Sequence, residues 1–239
     1  MRKCIKHLLS RTGIKISRIG PDFAKEDLLF ELCKREGVNL LIDVGANAGQ
    51  TALEFRRRGY CGRIVSFEPQ PAVFEVLEST AAGDSLWECR PEGLGAVEAH
   101  IEMNISAFSP SSSLLPIGRK HVELWPNSEH AGVTLVPIRT IDNIGANLRF
   151  AEHKSILKLD VQGYEMEVLK GASELLSYVS VVFVELLFMP LYDGQARYLD
   201  ILSKLEDAGL RLVCLTGETY DPKTGFLVYC DALFVRGRE

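Results

Sequence analysis

The chain has 239 residues, 46% of them hydrophobic and 25% charged, with a formal net charge of −5. That composition is globular, and the length suits one α/β domain with a sizeable core. A mildly acidic body without a long basic run excludes a general nucleic-acid binder, and no apolar stretch approaches the roughly 18 residues that a membrane span needs.

Residues 1–20 hold Arg2, Lys3, Lys6, Arg11, Lys15 and Arg18 and no acid, a segment of +6 beside a remainder of −11. With Ile5, Leu8 and Leu9 between the charges, two readings stand: peripheral contact with an anionic membrane, or a basic helix docked on the acidic body. Residues 21–239 form the domain. Asp22 is placed to cap a helix that runs to about Glu36, with Leu28, Leu29 and Leu32 on one face and Gly37 as its stop.

Leu40-Leu-Ile-Asp-Val-Gly-Ala-Asn-Ala-Gly-Gln-Thr51 then joins an apolar strand, a glycine-rich turn and a helix opening. Gly45 and Gly49 let backbone approach a ligand closely, at the carboxyl end of a strand where doubly wound sheets bind their ligands. Asp43 is expected to face the loop. A carboxylate there repels a pyrophosphate and suits a cationic or hydroxyl-bearing ligand. Asn47 stands where a nicotinamide fingerprint needs its second glycine, so S-adenosylmethionine, which has no phosphate and carries a sulfonium and an ammonium, fits better than a dinucleotide. After one helix, Arg63-Ile-Val-Ser-Phe67 is a second buried strand ending in Glu68, an acid positioned to accept hydrogen bonds from a ribose diol.

Pro71 opens a helix to about Ala82, and 86–90 is a third strand. Residues 96–105 alternate apolar and polar, as a half-exposed strand does. From Ser106 to Asn147 the pattern is irregular, and 104–153 reads as a substrate lid carrying Ser111, Ser112, Ser113, His121, Trp125 and His130. Ser155 to Asp160 is a strand ending in a carboxylate, Tyr164 to Leu176 a helix, and Tyr178 to Leu186 a strand with Glu185 near its end. A helix over 196–209 precedes strands at 211–215 and 227–235, which lack room for a crossover and so must run antiparallel. The expected fold is α/β: a doubly wound, Rossmann-like, mostly parallel seven-stranded sheet with an antiparallel last strand, as in class I methyltransferases. Six cysteines without zinc-ligand spacing read as reduced thiols, and the expected location is the cytoplasm, with residues 1–20 as the contact to the inner membrane surface.

Four pieces resemble the FkbM-type methyltransferases: residues 41–51, residues 65–71, the pair 111–115 and 136–142, and residues 157–176, where Lys158, Asp160, Gly163, Glu165, Leu169, Lys170, Gly171 and Ala172 match the family pattern. Gln162 departs from it, replacing the usual glutamate. The resemblance implies methyl transfer from S-adenosylmethionine, usually to a hydroxyl of a sugar or natural product, so a saccharide or glycolipid acceptor is expected. It puts Asp43, Gly45, Asn47 and Gly49 on the cofactor loop and Glu68 on the ribose; Ala46, Pro69, Leu94 and Asp160 are grouped with them as cofactor-binding residues. Asp160 is the leading catalytic residue, as a general base or as a ligand of a divalent cation, Mg²⁺ or Ca²⁺, shared with Glu185; its structural alternative is a helix cap. His121 and His130 are alternative bases. A nicotinamide-dependent oxidoreductase and a non-catalytic S-adenosylmethionine binder are the competing functions.

If residues 1–20 contact membranes, deleting them should lower binding to anionic vesicles at low salt, and the difference should fade as salt screens it. Equal binding by both proteins in a co-sedimentation assay would leave the docked helix.

Overall fold

A computed structural model describes residues 25–237. The basic segment 1–20 and the cap assigned to Asp22 lie outside the described residues. Helix α1 (Lys25–Glu36) leads into strand β1 (Leu40–Val44), every residue of which is buried. Then follow α2 (Gln50–Arg57), β2 (Arg63–Phe67), α3 (Pro71–Ala81, with proline in its first turn) and β3 (Trp87–Arg90). The chain returns to this sheet as β7 (Ser155–Leu159), α6 (Glu165–Lys170), β8 (Val181–Leu187), α7 (Tyr198–Asp207), β9 (Leu210–Tyr220) and β10 (Leu227–Arg236).

The sheet order is β3-β2-β1-β7-β8-β10-β9. The pairings among β3, β2, β1, β7 and β8 are parallel, whereas β10 runs antiparallel to both β8 and β9. This is the class I methyltransferase outline expected above. Order reverses between β1 and β7, so the crevice beyond their carboxyl ends is the topological switch point of the sheet. Two apolar layers flank it: Val44, Phe67, Leu159, Val168, Val184 and Phe234 belong to one, and Leu41, Phe55, Ile64, Leu77, Ile156 and Val181 to the other. Buried on both faces, the central strands therefore read as continuous apolar runs. No helix among the described residues is long and apolar enough to cross a membrane.

The stretch read as irregular is largely regular. It contains α4 (Arg119–Leu124), β6 (His130–Arg139) and α5 (Ile141–Leu148). Strand β6 pairs antiparallel with β5 (Ala99–Ser106) and parallel with the short β4 (Gly93–Leu94) in a second sheet of order β4-β6-β5. Val133 and Leu135 alternate with buried Val136 and Ile138 across it, a period obscured by Gly132 and Pro137. The helix expected over 164–176 stops early at Lys170, and a single 3₁₀ turn follows at Leu175–Ser177. Gly171 sits at the break as the C-cap, and only glycine fits there, because a Cβ would lie 2.0 Å from the Gly95 carbonyl oxygen.

Gly45 is the tightest point of the cofactor loop. Its φ is +72°, and a Cβ would lie 1.8 Å from the backbone oxygen of Asp160. Gly45→Ala should cost about 2–4 kcal/mol, from a left-handed backbone and a contact that only strand movement relieves. Thermal unfolding should register a drop of several degrees; an unchanged midpoint would mean that β1 and β7 are not so closely apposed.

Candidate active site

Beneath the loop that follows β1, Asp43 and Lys158 lie directly opposite each other on neighbouring parallel strands. Lys158 Nζ stands 3.1 Å from Asp43 Oδ1 and 3.9 Å from Asp160 Oδ2, and it donates to the Gly45 carbonyl at 2.7 Å. Burial opposes the charge on Lys158, but Asp43 and Asp160 outweigh it and leave its pKa raised. Asp43 is wholly buried; its other oxygen lies 3.4 Å from the Ser66 hydroxyl, which accepts from the Trp87 indole at 2.9 Å. The expectation that Asp43 faces the ligand is therefore corrected. Lys158 lines the cleft in its place, and Asp43 supports the cleft from below.

The turn itself is held by backbone. Amides of Gly45 and Ala46 both donate to the Phe67 carbonyl at 3.0 Å, which fixes the loop to the end of β2. Glu68 then accepts from the Asn47 amide through Oε2 and from the Gln70 amide through Oε1, both at 2.9 Å. Burial pushes the Glu68 pKa up, while these amides and Lys158 oppose the rise. Each oxygen keeps a lone pair for a ligand hydroxyl. Asn47 adopts φ 49°, a rare left-handed conformation outside glycine, and its side chain accepts from the Ala48 amide at 2.7 Å.

Gly45, Ala46, Asn47, Glu68, Pro69, Leu94 and Asp160 all line an open cleft at the switch point. Gly49 does not: it opens α2 at φ 89° against the Trp87 ring, a packing role. Gln50, Gln70, Met103 and Ser109 also line the cleft and were not picked out from sequence: Gln50 and Gln70 are uncharged members of the 41–51 and 65–71 pieces, and Met103 and Ser109 lie outside every piece.

At the carboxyl end of β7 the Asp160 side chain is 44% exposed. It does not cap α6. Glu165 holds that turn instead, accepting from the amides of Val161 at 3.1 Å and Gly163 at 3.2 Å, and its burial pushes its pKa up to about 7. Gln162, at φ 56°, donates from Nε2 to Asp160 Oδ1 at 2.7 Å and to Glu185 Oε2 at 3.2 Å, and its Oε1 accepts from the Tyr192 hydroxyl at 2.6 Å. Both donors of one amide thus bridge the two carboxyl groups. Burial, then the charges of Asp160, Glu165 and Asp231, push the Glu185 pKa well above its ordinary value; Asp231, opposite it on β10, is pushed up to about 7 by burial and by Asp160.

The two histidines separate. His121 is buried on α4, its Nδ1 2.8 Å from the Ser128 hydroxyl, and burial lowers its pKa. His130 starts β6 on the exposed surface, pairs with Ser106 and lines none of the pockets described here. Sequence proximity within one supposed lid suggested equivalent roles, and the burial of His121 against the exposure of His130 removes that equivalence.

Residues 43–212 match the methyltransferase FkbM domain. The chain belongs to the FkbM methyltransferase family. Methyltransferase 1 of Beauveria bassiana (strain ARSEF 2860) is 24% identical over 150 residues, which is 57% of this chain and 59% of that protein. Methyltransferase sdnD of Sordaria araneosa is 26% identical over 186 residues, 66% of this chain and 71% of that one. Among solved structures, WbdD co-crystallised with the kinase inhibitor LY294002 aligns over 90% of this chain and 41% of its own, with a TM-score of 0.52 and 16% identity, a likeness of fold.

The cleft of this FkbM domain fits S-adenosylmethionine on its own chemistry. Glu68 offers two oriented carboxylate oxygens for a ribose diol, and the Gly45–Asn47 backbone forms a wall without bulky side chains. Glu68→Ala should weaken S-adenosylmethionine binding by one to two orders of magnitude, roughly 1.5–3 kcal/mol, without unfolding the domain. Calorimetry decides, and an unchanged dissociation constant would take the ribose away from Glu68.

Proposed function

We propose that this FkbM-family chain is an S-adenosylmethionine-dependent O-methyltransferase that acts on a hydroxyl group of a saccharide, glycolipid or related natural product. One observation carries the reading: Asp160 presents an accessible carboxylate to the cofactor cleft while Gln162 and Lys158 fix its position from two sides. When bound, the cofactor supplies a methyl group on a sulfonium that needs no further activation. The chain's own tasks are alignment of the acceptor and removal of its proton.

An aliphatic hydroxyl is a weak nucleophile at neutral pH and needs a base or a metal. Asp160 takes the hydroxyl proton in this reading. Glu185, already biased toward its protonated form, shares the Gln162 amide and can hold a proton without adding a second negative charge. The same bridge argues against the divalent cation: an amide nitrogen occupies the space between Asp160 and Glu185, where a cation would have to stand. Among the described residues no group of three or more His, Cys, Asp or Glu is arranged to hold a metal ion. The base role is the one supported.

Asp160→Asn should lower methyl transfer about 10²-fold or more, the usual scale for a lost general base, while cofactor affinity stays near that of the wild type. Transfer of labelled methyl groups to acceptors in a cell extract measures the first, and calorimetry the second. Near-wild-type transfer would sink the base assignment. Loss of wild-type activity to a chelator, with recovery on adding Mg²⁺ or Ca²⁺, would restore the metal reading.

A further inference from the structure

A second, open cavity adjoins the cofactor cleft. Pro110 and Gln162 line both, so the two spaces meet across the segment that also carries Ser111 and Ser112. Its wall carries three rings, with His121 and Trp125 centroids 4.9 Å apart and Trp125 and Tyr229 6.1 Å, and buried Tyr192 packs behind His121 at 5.2 Å. Phe108, 54% exposed, stands at the margin. At the inner end lies Glu185, in hydrogen-bond contact with Gln162 and through it with Asp160.

We infer that this cavity is the acceptor site, and that it takes an uncharged, hydroxyl-bearing ring such as a pyranoside, stacked on Trp125 and Tyr229 with one hydroxyl directed past Gln162 toward Asp160. The inference rests on the O-methyltransferase reading and adds to it the class of acceptor. Three features carry it. The first is the combination of aromatic and polar residues: Gln162 and Glu185 line the same space as His121, Trp125 and Tyr229. The second is charge. Asp160, Glu165, Glu185 and Asp231 gather at this end of the sheet, the cation facing them is Lys158, already paired with Asp43, and no lysine or arginine is among the described residues lining the cavity. A phosphorylated or carboxylated acceptor would find no counter-charge there. The third is how rigidly the shared wall is held. The Tyr192 hydroxyl donates to Gln162 Oε1 at 2.6 Å and also lies 3.2 Å from the Ser111 carbonyl, while the Ser113 hydroxyl donates to the Gln162 carbonyl at 2.7 Å.

The chain has two tryptophans, Trp87 buried under the cofactor loop and Trp125 on the cavity wall, so intrinsic fluorescence reports on the cavity. The full chain, saturated with S-adenosylhomocysteine, would be titrated with methyl pyranosides of glucose, galactose, mannose, rhamnose and fucose, with glucose and mannose 6-phosphates, and with catechol. Saturable emission changes are expected for one or more neutral pyranosides, with the phosphates at least about tenfold weaker. Trp87→Phe should keep the signal. Trp125→Leu should raise the dissociation constant of the responding pyranoside about tenfold, followed by equilibrium dialysis, with S-adenosylmethionine affinity unchanged by calorimetry. The inference is overturned if no neutral pyranoside binds, if phosphates or catechol bind as well or better, or if Trp125→Leu leaves pyranoside affinity intact. Failure of the broader reading looks different: no labelled methyl reaches any hydroxyl in a cell extract, whatever the fluorescence shows.

Discussion

A buried ion pair holds the active end of this domain together. Asp43 and Lys158 face each other across β1 and β7 at the topological switch point, and each reaches further. Lys158 bonds the Gly45 carbonyl, while Asp43 connects through Ser66 to Trp87 on β3. Two ionised groups in such a place are expensive to desolvate, and removing one alone leaves the other uncompensated at a cost of about 3–5 kcal/mol. The pair therefore contributes less to net stability than to uniqueness of arrangement. With Lys158 held by Asp43, the glycine turn, the Glu68 carboxylate and Asp160 have fixed positions relative to one another.

Four acids crowd the other side of that pair, and their proton content follows from their surroundings. Glu165 is wholly buried and bonded only to backbone amides; Glu185 and Asp231 face each other on β8 and β10. Burial first, and then neighbouring carboxylates, push the pKa values of all three up, while the Asp160 side chain stands 44% exposed at the cleft. Gln162 makes this division workable. A glutamate at 162 would add an acceptor where two donors are needed, whereas the amide satisfies Asp160, Glu185 and Tyr192 at once. The departure from the family pattern is thus compensated by its own geometry.

The sheet was legible because its strands are apolar runs bounded by glycine, proline and acids, and because the last two strands stand too close in sequence for a crossover. Glu68 and Asp160 were legible for the same reason, as acids at the ends of such runs. Asp43 was assigned the wrong orientation, since side chains along β1 alternate and only the register with Lys158 reveals what lies beside it. That pairing had a signal: D-x-G and K-x-D at the ends of two strands adjacent in any doubly wound order. The second sheet was missed where Gly132 and Pro137 interrupt β6, and the aromatic wall was missed because Trp125, Tyr192 and Tyr229 come from three distant segments. Contacts of that kind are set by tertiary packing, which local periodicity does not encode.

Strand β10 has a consequence for how the domain assembles. It is the last strand in chain order, yet it lies inside the sheet, antiparallel to β8 on one side and β9 on the other. Until it inserts, β8 has an open edge and β9 no neighbour, so this half of the sheet cannot close during synthesis ahead of residues 227–236. Strands β1, β2, β3 and β7 can pair earlier, with the cofactor loop already among them. Tyr229 and Asp231 arrive only with β10, so the two halves of the active end mature in sequence: the nucleoside cleft first, the aromatic cavity last. Nascent chains halted before β10 would expose strand edges of the kind that invite pairing between molecules, a vulnerability inherent in this topology.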